Sequence, residues 1–241
     1  MSTDREGNDR CEAESFWKRL GQTKCVWLLV SLLTLLLLYP FLESKDDTYH
    51  VLTVLTSISL IAGVIAVAAT RRHAIVAVLL GVPTAVMGWL HHATPAEWVG
   101  ILGDSLAIVF FGFTTLCVLS YVLRGTTVSA DKLYGATCVY LLMGLVWAMA
   151  YSLLEKLQPG SFYAAPEQNL DGKLNWSDLL FFSFITLTTI GYGDITPVTS
   201  QARSLAILEA VAGTMFLTVL VARLIGLYVP PWMTGREDSG K

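Results

Sequence analysis

Seven consecutive residues, Thr188-Thr189-Ile190-Gly191-Tyr192-Gly193-Asp194, lie between two long apolar stretches and carry the most specific chemistry in the chain. That chemistry belongs to the backbone. A short strand that aims its carbonyls at a common axis offers oxygens that replace the hydration shell a cation loses. Pointing successive carbonyls the same way demands alternating left-handed backbone, which Gly191 and Gly193 tolerate and residues with a Cβ do not. The oxygens nearest the ion would be the carbonyls of Thr189, Ile190, Gly191 and Tyr192, plus the Thr189 hydroxyl. The side chains of Ile190 and Tyr192 would point away and brace the strand. A lone Gly-x-Gly marks any tight turn; the full run, with Asp194 and Pro197 after it and a short helix before it, is far narrower.

The elements that must position such a strand are apolar. The chain is 54% hydrophobic and 15% charged, with mean hydropathy +0.58, whereas a soluble domain has about 25% charged residues. An integral membrane protein is expected. Six stretches are long enough to span (~17–25 residues): Cys25–Leu42, Val51–Ala69, Ala74–Leu90, Trp98–Leu123, Leu133–Leu154 and Ser204–Val229. Pro83 in the third is tolerable where neighbours re-satisfy the freed carbonyl. The first has no small-x-small cleavage site after it and reads as a retained helix, not a signal peptide.

Loop charges set the orientation. Arg5, Arg10, Lys18, Arg19, Lys24, Arg71, Arg72, Arg124, Lys132, Arg223, Arg236 and Lys241 fall on one side, against Lys45, Lys156, Lys173 and Arg203 on the other. Both termini are therefore expected in the cytoplasm of a multi-pass plasma-membrane protein, with the 188–194 run entering from outside. Cys11, Cys25, Cys117 and Cys138 show no CxxC or Cys-His spacing; they read as thiols acting as small apolar residues. His91, His92 and Glu97 lack metal-site geometry, and no Ser-His or paired buried Asp suggests an enzyme. The net charge of −3 accompanies no separate basic patch, so no nucleic-acid partner is expected.

Along the chain, residues 1–24 form a mixed-charge cytoplasmic segment in which Phe16, Trp17 and Leu20 suit an interfacial turn. Residues 25–124 form a four-helix module and 125–132 a linker. Residues 133–229 form a pore-like unit, and 230–241, beginning at Pro230-Pro231, a short tail without a large cytosolic ligand-binding domain. Within 133–229, residues 155–175 are a loop rich in Pro, Gly and Asn. Asn175-Trp176-Ser177-Asp178 then opens a helix to about Leu187, with a capping side chain and an early acid. Too short to span, this helix is re-entrant, allowed at membrane depth where protein surrounds it. Its C-terminal end favours a cation through the helix dipole.

Thr189 to Gly193 resembles the potassium-channel selectivity filter, usually Thr-Val-Gly-Tyr-Gly, with Ile in place of Val. From Leu133 onward the order of outer helix, loop, pore helix, filter and inner helix resembles the pore domain of tetrameric potassium channels. With four helices in front, the chain is similar to the six-helix superfamily that includes voltage-gated potassium channels. The fold implied is all-α, with six transmembrane helices and a re-entrant pore helix and filter loop between the fifth and sixth. One filter per chain implies a homotetramer in the lipid bilayer. The resemblance implies potassium bound at Thr189, Ile190, Gly191 and Tyr192 as permeant ion, with no cofactor.

The chain also departs from the family. A voltage-sensing fourth helix carries Arg or Lys at every third position, and steep gating needs three or four charges per subunit; Trp98–Leu123 has none. Its one well-embedded acid is Asp104, near the outer end, either hydrated at the interface or a membrane-facing acid that senses protons or pairs with His91 or His92. Around the filter, Thr188 and Asp194 flank the strand. Phe181 and Phe182 stand where voltage-gated relatives have Trp, and Ile185 where others have Glu. Neither Phe nor Ile can donate or accept, so Tyr192 and Asp194 need other partners, with Arg203 a candidate for Asp194. In the last helix, Gly213 is either a gating hinge or a small residue for close packing. Glu209, an acid inside the bilayer and a candidate proton-sensitive group, is expected to face the pore helix or the back of the filter, not lipid.

The function expected is passive, potassium-selective conduction without an arginine voltage sensor; the alternative is a modulatory subunit that assembles with other pore-forming chains. A transporter subunit is disfavoured because transporter filters keep a single Gly and four repeats per chain.

Overall fold

Hydroxyl groups in apolar helices bond back to their own helix, and this lets polar residues sit in the long runs of this chain. Ser59, Thr84, Thr114 and Thr115 each donate to the carbonyl four residues earlier, at 2.7–3.0 Å, the usual alternative to an exposed hydroxyl. A computed structural model describes residues 24–42, 48–68, 71–93, 96–124, 129–164 and 174–227. It contains α1 (Lys24–Leu42), α2 (Thr48–Val67), α3 (Arg71–Ala93), α4 (Glu97–Leu123), α5 (Ala130–Leu157), β1 (Phe162–Ala164), α6 (Trp176–Leu187), β2 (Ile195–Pro197) and α7 (Ser200–Leu227). The expected interfacial turn at Phe16–Leu20, Cys11, the His91 and His92 side chains, residues 125–128 of the linker and the tail from Pro230 lie outside the described residues.

Among the described residues, four helices are long and apolar enough to cross a membrane, over Arg71–Leu90, Glu97–Leu123, Ala130–Leu157 and Ser200–Arg223. The first two expected spans carry shorter apolar stretches, Cys25–Tyr39 and Thr53–Val67. Helices otherwise start and stop within a few residues of the expected positions. Among the described residues, the all-α reading meets one exception. Phe162–Ala164 and Ile195–Pro197 pair antiparallel, with Tyr163 opposite Thr196. Three-residue strands are too short for an alternating pattern to show in sequence.

The chain divides into two units, Met1–Val122 with Ala130–Leu142, and Leu123–Ser129 with Met143–Lys241. In the first, Phe110 is fully buried beside α2 and α3. Two glycines make its room: a Cβ on Gly63 or Gly81 would lie 3.2 or 3.1 Å from the ring. Lipid is as apolar as Phe, so association inside a bilayer relies on such close fit. The start of α5 is tied down as well. Asp131 Oδ1 accepts the Cys25 N–H at 3.2 Å and Oδ2 accepts the Tyr121 hydroxyl at 2.9 Å. An acid at the first turn of α1 satisfies an orphan donor and complements the helix dipole. Gly135 brings α5 against Cys25 and Val122, where a Cβ would lie 3.2 and 3.0 Å from their side chains. Thus the first half of α5, which follows the expected linker, packs with α1 and α4. Cys25, Cys117 and Cys138 are free thiols, and Cys138 donates to the Cys25 carbonyl.

Within the second unit, a carboxylate builds the turn that leads to β1. Glu155 accepts the N–H groups of Gly160, Ser161 and Phe162 at 2.7, 2.9 and 3.2 Å. Gly160 takes φ +82° there. The Ser161 carbonyl in turn accepts the Val198 N–H at 2.8 Å, so the backbone just after Asp194 is held to the end of α5.

Asp131→Ala removes both acceptors at the α1–α5 junction. A loss of about 1–2 kcal/mol is expected, the usual cost of deleting a helix cap, read as a lower thermal unfolding midpoint; an unchanged midpoint would contradict this role.

Candidate functional site

The helix that leads into the 188–194 run begins where its sequence signature places it. Asp178 Oδ2 accepts the Asn175 N–H at 2.8 Å, the reaching-back half of a capping box. Twelve residues at 1.5 Å each give about 18 Å, short of the ~30 Å hydrocarbon core.

Its end is unusual. The Thr188 N–H donates to Phe184 O at 3.0 Å and the Thr189 N–H to Thr186 O at 3.0 Å. The N–H groups of Ile190 and Gly191 both donate to Ile185 O, at 2.8 and 3.1 Å. Four successive amides are thus turned back onto the last turn of α6. The carbonyls that follow are treated differently: among the described residues, nothing donates a hydrogen bond to the carbonyls of Thr189, Ile190, Gly191, Tyr192 or Gly193. Over the same stretch φ is positive at Thr189 (59°), Gly191 (54°) and Gly193 (83°) and not at Ile190 or Tyr192. The two glycines were expected at such positions. Thr189 was not: a β-branched residue in the left-handed region is strained, by about 1–3 kcal/mol.

The residues expected to support the run contact it in distinct ways. The Phe181 ring lies parallel to Tyr192, centroids 6.2 Å apart and planes 9° apart. Phe182 faces the other way, into an edge-to-face cluster with Tyr151 and Phe162 at 5.2 and 5.4 Å. Ile185 is buried and acts through its carbonyl, the double acceptor above. Thr188 Oγ1 donates to Phe184 O. Asp194 Oδ1 accepts the N–H of Ile195 at 3.0 Å. Arg203, expected near Asp194, instead donates from Nε to Pro197 O at 3.2 Å. The nearer acceptor is the carbonyl that β2 presents where α7 begins.

Glu209 is fully buried and meets hydroxyls from both neighbouring helices, Tyr151 of α5 and Ser183 of α6, each at 2.5 Å. Ser183 Oγ also bonds to Gly144 O at 2.8 Å. Reasoning from sequence placed Glu209 toward the pore helix but missed Tyr151 and Ser183. The available signal was that a carboxyl in an apolar helix needs partners, and these hydroxyls lie on the flanking helices. Two glycines allow the approach. A Cβ on Gly144 would lie 2.7 Å from the Phe184 ring, and one on Gly213 would lie 2.7 Å from Leu187 O. Gly213 therefore sits at a helix-to-backbone contact, as its close-packing reading requires. Asp104 lies half-buried near the start of α4, away in sequence from these groups, and Glu97–Leu123 carries no Lys or Arg.

Similarity to known proteins covers this region. The family described as "Ion channel" matches residues 135–229. Protein LctB of Bacillus caldotenax is 32% identical over 125 residues, 52% of this chain and 92% of that protein. Protein LctB of Geobacillus stearothermophilus is 33% identical over 125 residues, with the same coverage. The inward rectifier potassium channel Kirbac3.1 of Paramagnetospirillum magnetotacticum is 31% identical over 99 residues, 39% of this chain and 29% of that channel.

Gly213→Ala places a methyl against the Leu187 carbonyl. Overpacking of this kind costs about 1–3 kcal/mol, and the thermal midpoint of the purified protein should fall accordingly; a neutral or stabilising effect would mean the contact is slack.

Proposed function

Because the chain belongs to the ion-channel family, we propose that it is a potassium-selective channel in which four copies surround one axis. The observation that carries this reading is the set of five adjacent carbonyls without donors among the described residues, on a backbone whose φ alternates in sign. Alternation turns successive carbonyls to one side, and a backbone oxygen at membrane depth needs a partner. A dehydrated cation supplies it, at Thr189, Ile190, Gly191 and Tyr192, with the Thr189 hydroxyl as a further ligand. The family resemblance of the Thr-Ile-Gly-Tyr-Gly run and the potassium channel among the relatives favour potassium.

What one chain leaves uncovered supports an assembly of copies around the axis. Tyr192 is 71% exposed and Ile190 54% exposed, although both are large and apolar-bodied. Along α7 the side chains of Ile207, Leu208, Val211, Met215, Val219 and Ile225 are exposed as well. Neighbouring copies would cover the residues nearest the axis and lipid the rest. In this reading α6 is a re-entrant pore helix whose carbonyl end favours a cation. The chain spans the plasma membrane six times with both termini in the cytoplasm, α1 and α2 supplying the first two spans. With no Lys or Arg inside α4, the field finds no gating charge there. Each such charge would contribute ~2.3 kcal/mol per 100 mV.

Purified chain reconstituted alone in liposomes, with potassium on one side and sodium on the other, tests the reading directly. The reversal potential should follow the potassium gradient, and open probability should vary only shallowly with voltage. A reversal potential indifferent to potassium overturns the proposal; silence relieved by a second channel chain would favour a modulatory subunit. Gly191→Ala puts a Cβ at a left-handed position. It should abolish selective conduction while leaving the protein inserted and assembled, and unchanged selectivity would count against the filter assignment.

A further inference from the structure

The hydrogen bonds around Glu209 constrain where its protons are. Ser183 Oγ lies 2.8 Å from Gly144 O and 2.5 Å from Glu209 Oε1, yet a serine hydroxyl has a single proton. The Gly144 carbonyl can only accept, so that bond uses the Ser183 proton. An ionised carboxylate can also only accept, and would then face Ser183 Oγ lone pair against lone pair. A carboxylic acid removes the conflict: Oε1–H donates to Ser183 Oγ, Ser183 donates to Gly144 O, and the Tyr151 hydroxyl donates to Oε2. Every donor and acceptor is then matched. The surroundings agree. Among the described residues, Tyr151 on α5 is the titratable group that meets Glu209, α6 presents Ser183, and the carboxyl has no ion pair with a Lys, Arg or His. A buried carboxylate without a cation is costly.

We propose that Glu209 is a neutral carboxylic acid and a positioning residue. Its proton completes a relay from Tyr151 through Glu209 and Ser183 to the Gly144 carbonyl, fastening α6 to α5 and α7. Any effect on conduction rests on the channel reading above; the proton itself does not.

Infrared difference spectroscopy on the purified protein in lipid at neutral pH, wild type minus Glu209→Gln, reads the group whether or not the protein conducts. A protonated-carboxyl C=O band lost in the variant is expected; loss of a carboxylate band instead overturns the proposal. Glutamine keeps a donor at one end and an acceptor at the other. Glu209→Gln should therefore hold the thermal midpoint and potassium selectivity near wild type, while Glu209→Ala lowers the midpoint; equal damage from both overturns the positioning role. Should the glutamine variant fail to fold, Tyr151→Phe serves. Removing the donor to Oε2 should move the carboxyl C=O band to higher frequency, and an unmoved or absent band overturns the relay.

Discussion

A backbone carbonyl away from water must find a donor or a cation, and this constraint organises the second unit of the protein. The last turn of α6 takes up the amides of Thr188 to Gly191. With those N–H groups committed to the helix, the carbonyls of Thr189 to Gly193 accept no hydrogen bond from any described residue. The left-handed steps at Thr189, Gly191 and Gly193 then decide which way those oxygens turn. The chemistry of the site is thus prepared by the hydrogen bonds of the preceding helix. No side chain of the run is charged until Asp194.

The helix that makes these bonds is itself held by short-range contacts of two kinds. One is glycine-mediated approach, at Gly144 against Phe184 and at Gly213 against Leu187. The other is the polar junction of Tyr151, Ser183 and Glu209. In an apolar solvent neither gains from the hydrophobic effect, so fit and hydrogen bonding set the geometry. The aromatic trio Tyr151, Phe162 and Phe182 extends this junction toward the segment that follows α5. There the Glu155 turn and the β1–β2 pair fix the chain on the far side of Asp194.

What could be read from sequence follows from range. The 188–194 run, the helix start at Asn175 and the long apolar helices are local patterns, and each is where the residues indicate. The need of Glu209 for protein surroundings was legible for the same reason, since a carboxyl in an apolar helix is an anomaly in itself. Its partners were not, because Tyr151 and Ser183 stand 58 and 26 residues away, and spacing carries no information at that distance. Asp131 was hidden differently: it looked like a linker residue, and its role depends on the N-terminus of a helix 106 residues earlier. Arg203 was a candidate partner for Asp194, but a carbonyl of the adjacent strand is its acceptor. The positive φ of Thr189 went unseen because residue type argues against it.

The Gly213 contact has a mechanical meaning. A side chain pressed between two helices can change rotamer and absorb a displacement. A backbone carbonyl lying against a residue without a Cβ has no such freedom. A Cβ at position 213 would meet both the carbonyl and the side chain of Leu187, two residues before Thr189 with its positive φ. The absent side chain at position 213 thus sets how near the last helix can come to the backbone that leads into the carbonyl strand.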